Sequence, residues 1–180
     1  MTLMTATSVL TVAEFSRLPQ PAGGIRQELH HGELFELPLV MRLHTRLQYR
    51  LVDLLQVAQR DGGSRVGMEF PFRPAAEYEV WVADVALFDL AAWNQTADDD
   101  YFRGVPTIVI EVLSPSNTAS EMLDREEVCL RNGGREFWLV DPKRQSVKVV
   151  RAGGSSLTYG IEDNIDSAAA QIAVRDIFSD

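Results

Sequence analysis

Residues 104–117 read GVPTIVIEVLSPSN. Ile108, Val109 and Ile110 lead into Glu111, Val112 and Leu113 follow it, and Ser114-Pro115-Ser116 closes the run with a turn. A near-continuous apolar run of this length is the pattern of a strand covered on both faces. Glu111 breaks that pattern. A carboxylate is costly to bury alone, so Glu111 requires a cation, a metal, water at a cleft, or a proton.

A second stretch repeats the anomaly. EVWVADVALFD, residues 79–89, reads as another buried strand and carries Asp84 at its centre. If the two strands are neighbours, their carboxylates converge at one sheet edge or cleft, where repulsion raises a pKa unless a cation lies between them. Oxygen ligands of this kind suit Mg²⁺, which takes one or two carboxylates and completes its shell with water and phosphate oxygens. The helix expected from about Thr118 to Asn132 places Met122, Arg125 and Cys129 on one face. Two of the three are apolar, so that face turns inward and brings Arg125 to the sheet. Asp84, Glu111 and Arg125 then admit two readings: a structural ion-pair cluster without a substrate, or a site whose cation meets a phosphate.

Working outward, Thr11 and Glu14 fit a capping box opening a short helix, and PQPAGG breaks the chain after it. IRQELHHGELFEL reads as a hairpin turning at His31-Gly32. A long helix is expected over Leu39 to Arg60, with Leu43, Leu47, Leu51, Leu54 and Leu55 at helical spacing and Asp61-Gly62-Gly63 as its stop. RVGMEFPFRP is a strand whose proline sets it near an edge or bulge. AAWNQTADDDYFRG is a polar excursion. Thr118 and Glu121 form a second capping box, and Gly133-Gly134 ends that helix. EFWLVDP and SVKVVRA are strands around the KRQ turn, and QIAVRDIFSD adds a strand or a short helix. The order of elements indicates an α/β (α+β) protein with a mixed β-sheet flanked by helices and an N-terminal β-hairpin.

The 180 residues suit one domain, taken as 1–180. Hydrophobic residues are 46% and charged residues 24%, as in an ordinary globular protein, and no apolar run approaches membrane-spanning length. A lone cysteine, Cys129, excludes an intrachain disulfide and a multi-cysteine metal centre. MTLMTATSVLTVAEF lacks the basic start of a secretory signal. A cytoplasmic protein is expected. The formal net charge of −9 opposes non-specific nucleic-acid binding, but not a local basic groove or an acidic centre neutralised by a divalent ion. No GxGxxG or GxxxxGK[ST] phosphate loop occurs.

VADVALF, PTIVIEVLSPSN, the helix after it and GGREFWLVDP together resemble the Uma-two family of restriction-endonuclease-like proteins, within the PD-(D/E)XK nuclease superfamily. LTVAEFSRLP, RQELHHGELFELP, His44 opening the long helix and AVRDIF fall in the same order, so nearly the whole chain is covered. The resemblance implies a restriction-endonuclease-like core and a Mg²⁺-dependent (or Mn²⁺-dependent) endonuclease acting on DNA. It implies that Asp84 and Glu111 bind the metal, with the Val112 carbonyl as a further ligand. The lysine of the motif falls at Leu113, which cannot serve. The position to which the family's lysine has migrated is Arg125, and the upstream acid of QEL is Glu28. Two departures stand out: Ala83 replaces the proline before the aspartate, and arginine replaces lysine at position 125.

Arginine stays protonated, so Arg125 can hold a phosphate or offset transition-state charge but cannot take a proton from water. Glu28 is equally readable as a solvated hairpin charge, and Glu33 as a surface residue. Arg42, Arg46 and Arg50 are either a track for a DNA backbone or a solvated helix face. His44 either contacts the site or caps and packs; it lacks HExxH spacing. Ser114 and Ser116 lie outside any GxSxG and fit a turn. Cys129, Trp81 and Trp138 read as core, and Trp93 as a surface contact. Two functions follow: a metal-dependent endonuclease, with a homodimer suited to cutting two strands, or a catalytically impaired member of the fold serving as a nucleic-acid-binding or protein-interaction module.

Overall fold

The strand around Glu111 needs cover on two sides, and the chain supplies it. The computed structural model describes residues 9–19, 21, 25–37, 41–58, 62–75 and 77–179. The expected helix limits Leu39 and Arg60, its stop residue Asp61, and Gln20 and residues 22–24 of the PQPAGG break lie outside these.

The one-turn helix α1 (Val12–Phe15) carries the full Thr11–Glu14 capping box. β1 (Arg26–His30) and β2 (Glu33–Leu37) form the antiparallel hairpin, turning through His31 and Gly32 at φ 52° and 81°. Glycine is required in that turn, because a Cβ on Gly32 would also lie 2.7 Å from Val9 Cβ. The long helix α2 (Arg42–Ala58) follows. Then come β3 (Ser64–Arg73), β4 (Trp81–Asp89), α3 (Leu90–Asn94), β5 (Phe102–Arg103) and β6 (Ile108–Val112). α4 (Ala119–Arg131) is capped by Thr118 with Glu121 and is followed by Gly133 at φ 106°. β7 (Glu136–Asp141), β8 (Ser146–Arg151), β9 (Ser156–Tyr159), β10 (Asn164–Asp166), β11 (Gln171–Ala173) and α5 (Val174–Phe178) complete the chain.

Seven strands form one mixed sheet in the order β5-β3-β4-β6-β7-β8-β9. β6 and β7 are parallel, joined through α4, and β3 and β5 are parallel; the other pairs are antiparallel. Every residue of β6 is buried. Ile108, Ile110 and Val112 pack with Leu47, Leu51 and Leu55 of α2 and Ile177 of α5. Val109 packs in a second cluster with Phe137 and with Cys129 of α4. Alternate residues of β6 thus enter separate apolar layers, which accounts for the unbroken apolar run.

Several expectations need adjusting. Leu43 was expected on the apolar stripe of the long helix but is 47% exposed. The inward positions of the first two turns are taken by His44 and Gln48, both buried, so the stripe becomes polar where it meets Asp84 of β4. Pro71 pairs with Val82 on one side and has no β5 partner on the other, since β5 pairs only with Phe72 and Arg73, so the proline lies near the sheet edge as expected. The polar excursion contains α3, capped by Asp89, and β5. The tail supplies a strand and a helix, β11 and α5.

Candidate active site

The pairing of β4 with β6 runs Leu87↔Ile108, Ala86↔Val109, Val85↔Ile110. One further step would set Asp84 opposite Glu111. The ladder stops there, and Asp84 Oδ2 accepts the Val112 backbone N–H at 2.8 Å in its place. On the other flank of β4, the register passes from Met68↔Val85 to Phe70↔Ala83 and skips Glu69, whose φ is 49°. A non-glycine residue in this left-handed region costs about 1–3 kcal/mol, and such residues cluster at functional sites. Glu69, Asp84 and Glu111 therefore occupy corresponding positions on β3, β4 and β6, where both ladders are interrupted.

Arg125 enters from α4. Its Nη1 donates to Glu111 Oε1 at 2.8 Å and to the Val82 carbonyl at 2.9 Å, and its Nη2 donates to Glu28 Oε2 at 2.5 Å. The guanidinium lies 5.0 Å from the centroid of the Trp81 ring. Glu28 is fully buried, and His30 Nε2 lies 2.7 Å from the same Oε2. The His30 ring is held between Phe35 and Trp81, with centroids 4.5 and 4.4 Å away. Arg26 is the second cation: Nη2 is 3.1 Å from Glu28 Oε1, and Nη1 is 2.5 Å from Glu69 Oε2 and 3.7 Å from Asp84 Oδ1. Four carboxylates thus surround two guanidinium groups, leaving a formal excess of two negative charges.

The protonation of these acids follows from their surroundings. Burial works against the charge of Glu28, but Arg125, His30 and Arg26 outweigh it and hold its carboxyl down at about 2. Glu111 moves the other way. Burial pushes it up to about 8; Arg125 and Arg26 pull down, while Asp84 and Glu28 push further up. Arg125 is driven above the ordinary arginine range, because Glu111 and Glu28 overcome its desolvation. Burial likewise pushes the Cys129 thiol up, so it sits in the core as a neutral group.

His44 and Gln48, one turn apart on α2, face the same carboxylates. His44, Glu69 and Asp84 each offer a ligand atom, and these atoms lie within 4.8 Å of one another. His44 Nε2 is 3.1 Å from Asp84 Oδ2, yet neither ring nitrogen of this buried histidine has an aligned hydrogen-bond partner. Gln48 donates to Glu69 Oε1 and, at 3.3 Å, to Asp84 Oδ1. Two carboxylates and an orphaned imidazole in a net-negative cleft fit a divalent cation. Val112 is tied to this group by its N–H on Asp84.

A family model described as "Putative restriction endonuclease" (Uma2) matches residues 12–175. The chain belongs to the Uma2 family. Among solved structures, it is similar to a protein from Anabaena variabilis ATCC 29413 described as a putative nuclease belonging to DUF820. The two are 21% identical with a TM-score of 0.79, over 94% of this chain and 97% of that one. That likeness shows the fold, a mixed sheet flanked by helices. No curated protein matches the chain.

In this Uma2 chain the residues singled out from sequence take distinct places. Asp84, Glu111, Arg125 and Glu28 gather in one buried network, in which Arg125 holds Glu111 and Glu28 while Asp84 faces His44 and Glu69. Arg50 is tied to α5, donating to the Asp176 carbonyl at 2.7 Å and Ser179 Oγ at 3.0 Å, while Arg42 and Arg46 are exposed. Ser114 and Ser116 share the turn before α4 with Asn117. Trp81 and Trp138 are core residues, and the 45% exposed Trp93 leans on Phe70 and Phe88. Glu33 is exposed. Three site residues escaped the sequence reading: Glu69, Arg26 and Gln48. Gln48 had a signal, since it lies four residues after His44 on one helix face.

Proposed function

We propose that this Uma2 protein is a metal-dependent endonuclease hydrolysing DNA phosphodiester bonds, with Mg²⁺ or Mn²⁺ as its cofactor. The observation that carries the reading is the ligand group of the site: His44, Glu69 and Asp84 offer atoms within 4.8 Å of one another, and the buried histidine has no aligned hydrogen-bond partner. Asp84 is common to both ligand sets in view, the one with Glu111 and the Val112 carbonyl from the family resemblance, and the one with Glu69 and His44 from the distances. When bound, a divalent ion supplies a water of lowered pKa and neutralises charge on the phosphate.

The remaining steps fall to the protein's own groups. Glu111, whose carboxyl is pushed up by burial, is held beside Asp84 by its bond to Arg125. Arg125 fixes the Glu111 and Glu28 carboxylates and contributes positive charge without proton transfer. Arg26 holds the Glu28 and Glu69 carboxylates and lies beside Asp84, adding positive charge at the edge of the ligand group. Two copies of the chain would serve to cut two strands, and a cytoplasmic site of action suits a DNA substrate.

One observation favours a second reading, a catalytically impaired nucleic-acid-binding or protein-interaction module. Arg125 spends its donors on two acids and a carbonyl, and it stands where the family resemblance implies lysine. Plasmid incubated with Mg²⁺ or Mn²⁺, beside an Asp84→Ala, Glu111→Ala double variant, separates the two. Cleavage by the wild type alone supports the nuclease. Cleavage by neither, together with no heat on calorimetric Mn²⁺ titration, selects the second reading.

A further inference from the structure

A cavity of about 260 Å³ opens between α1, the start of β1 and the start of β4. Phe15, Leu18 and Tyr101 give it an apolar, aromatic wall, and the Phe15 and Tyr101 rings lie 6.3 Å apart at 43°. Its lining also includes Arg26 and Val82. These two residues also belong to the acidic site: Arg26 Nη1 lies against Glu69 and Asp84, and the Val82 carbonyl accepts from Arg125. Cavity and site therefore share Arg26 and Val82. Arg26 Nε is buried without an aligned hydrogen-bond partner, a donor left over after both terminal nitrogens are engaged.

We infer that this cavity receives the nucleobase next to the scissile phosphate, and that the substrate is DNA with an unstacked, single-stranded nucleotide there. This rests on the nuclease reading above. The volume lies below the roughly 300–1,000 Å³ of clefts that enclose drug-sized molecules, so it holds a ring system and not a stacked base pair. Aromatic and aliphatic side chains take the face of any base, and a cationic edge takes its acceptor atoms or the adjoining phosphate. In an intact duplex that face is covered by its neighbours, and only an unpaired or extruded nucleotide presents it.

The test compares a short oligothymidylate with a blunt duplex of equal length, binding in Ca²⁺ to wild type, Leu18→Trp and Tyr101→Ala. Leu18→Trp fills the cavity and Tyr101→Ala removes a stacking wall; neither alters the acidic site. The single strand is expected to bind wild type at least about fivefold more tightly than the duplex, and each variant to lose about fivefold or more of that affinity. Calorimetric Mn²⁺ binding should not change in either variant. A measurement independent of variants is photocrosslinking of an oligonucleotide bearing 5-iodouracil to wild type, with adducts expected at Tyr101 or Phe15. Equal affinity for single strand and duplex, or unchanged affinity in both variants with adducts elsewhere, overturns the inference. A wild type that neither binds Mn²⁺ nor cleaves, while both variants weaken binding and adducts map to Tyr101, removes the nuclease reading and leaves the base cavity standing.

Discussion

Arg125 on α4 and Glu28 on the N-terminal hairpin, 97 residues apart in sequence, meet at 2.5 Å inside the protein. The same guanidinium holds Glu111 on the central strand, so one side chain ties the hairpin, α4 and the sheet together. Removing one partner of a buried pair leaves an uncompensated charge and costs about 3–5 kcal/mol. Arg125→Ala, which strands two acids, is expected to lose at least that much in urea unfolding. Arg125→Lys keeps the charge but not the planar fork that reaches both carboxylates, and should lose less. Equal stability of wild type and Arg125→Ala would show that the bridge is not formed in solution.

Glu28 makes the acid limb of stability informative. Its folded carboxyl lies at about 2, below the ordinary 4.5. The unfolded chain therefore binds the proton more readily, and the contribution of Glu28 is complete above pH 4.5 and disappears as pH falls toward 2. Denaturant midpoints of wild type and Glu28→Gln are expected to stay a constant distance apart above pH 4.5 and to converge as pH falls toward 2. Parallel curves would mean that Glu28 is not held by Arg125, His30 and Arg26.

How much of this was legible in the sequence depends on the range of the interaction. Thr11–Glu14 and Thr118–Glu121 are local pairs, and both capping boxes form as read. Asp84 and Glu111 announced themselves because a charge inside an apolar run contradicts its surroundings. Arg125 followed from helical spacing with Met122 and Cys129, all three being buried. Glu69 gave no such contradiction: it lies in a partly exposed strand, and only the pairing of β3 with β4 sets it opposite Asp84. Arg26 needed knowledge of where the hairpin docks. β9, largely exposed and without an apolar repeat, offered no periodicity to read.

Glu111 should give the opposite pH dependence. Its folded carboxyl is raised from 4.5 to about 8, chiefly by burial, so the folded state binds this proton more tightly than the unfolded chain does. Stability from this group is present below pH 4.5 and is lost as pH rises through 8. In EDTA, wild type is expected to melt at progressively lower temperature across that range relative to Glu111→Gln, which has no proton to lose. A constant difference between the two melting curves from pH 5 to 8 would place the Glu111 carboxyl at its ordinary value.

Divalent ions test which acids form the ligand set. An ion that binds only the folded protein stabilises it by about 2.7 kcal/mol at a hundredfold excess over its Kd. Mn²⁺ is therefore expected to raise the melting temperature of wild type, and Asp84→Asn to abolish the rise, since Asp84 serves either ligand set. His44→Ala and Glu69→Gln address the group whose ligand atoms lie within 4.8 Å. Glu111→Gln addresses the set implied by the family resemblance. Loss of the shift in His44→Ala and Glu69→Gln, with the shift kept in Glu111→Gln, assigns the ion to β3, β4 and α2. The reverse pattern assigns it to Asp84 and Glu111, with Glu111 Oε2 left to coordinate while Oε1 keeps its 2.8 Å bond to Arg125 Nη1.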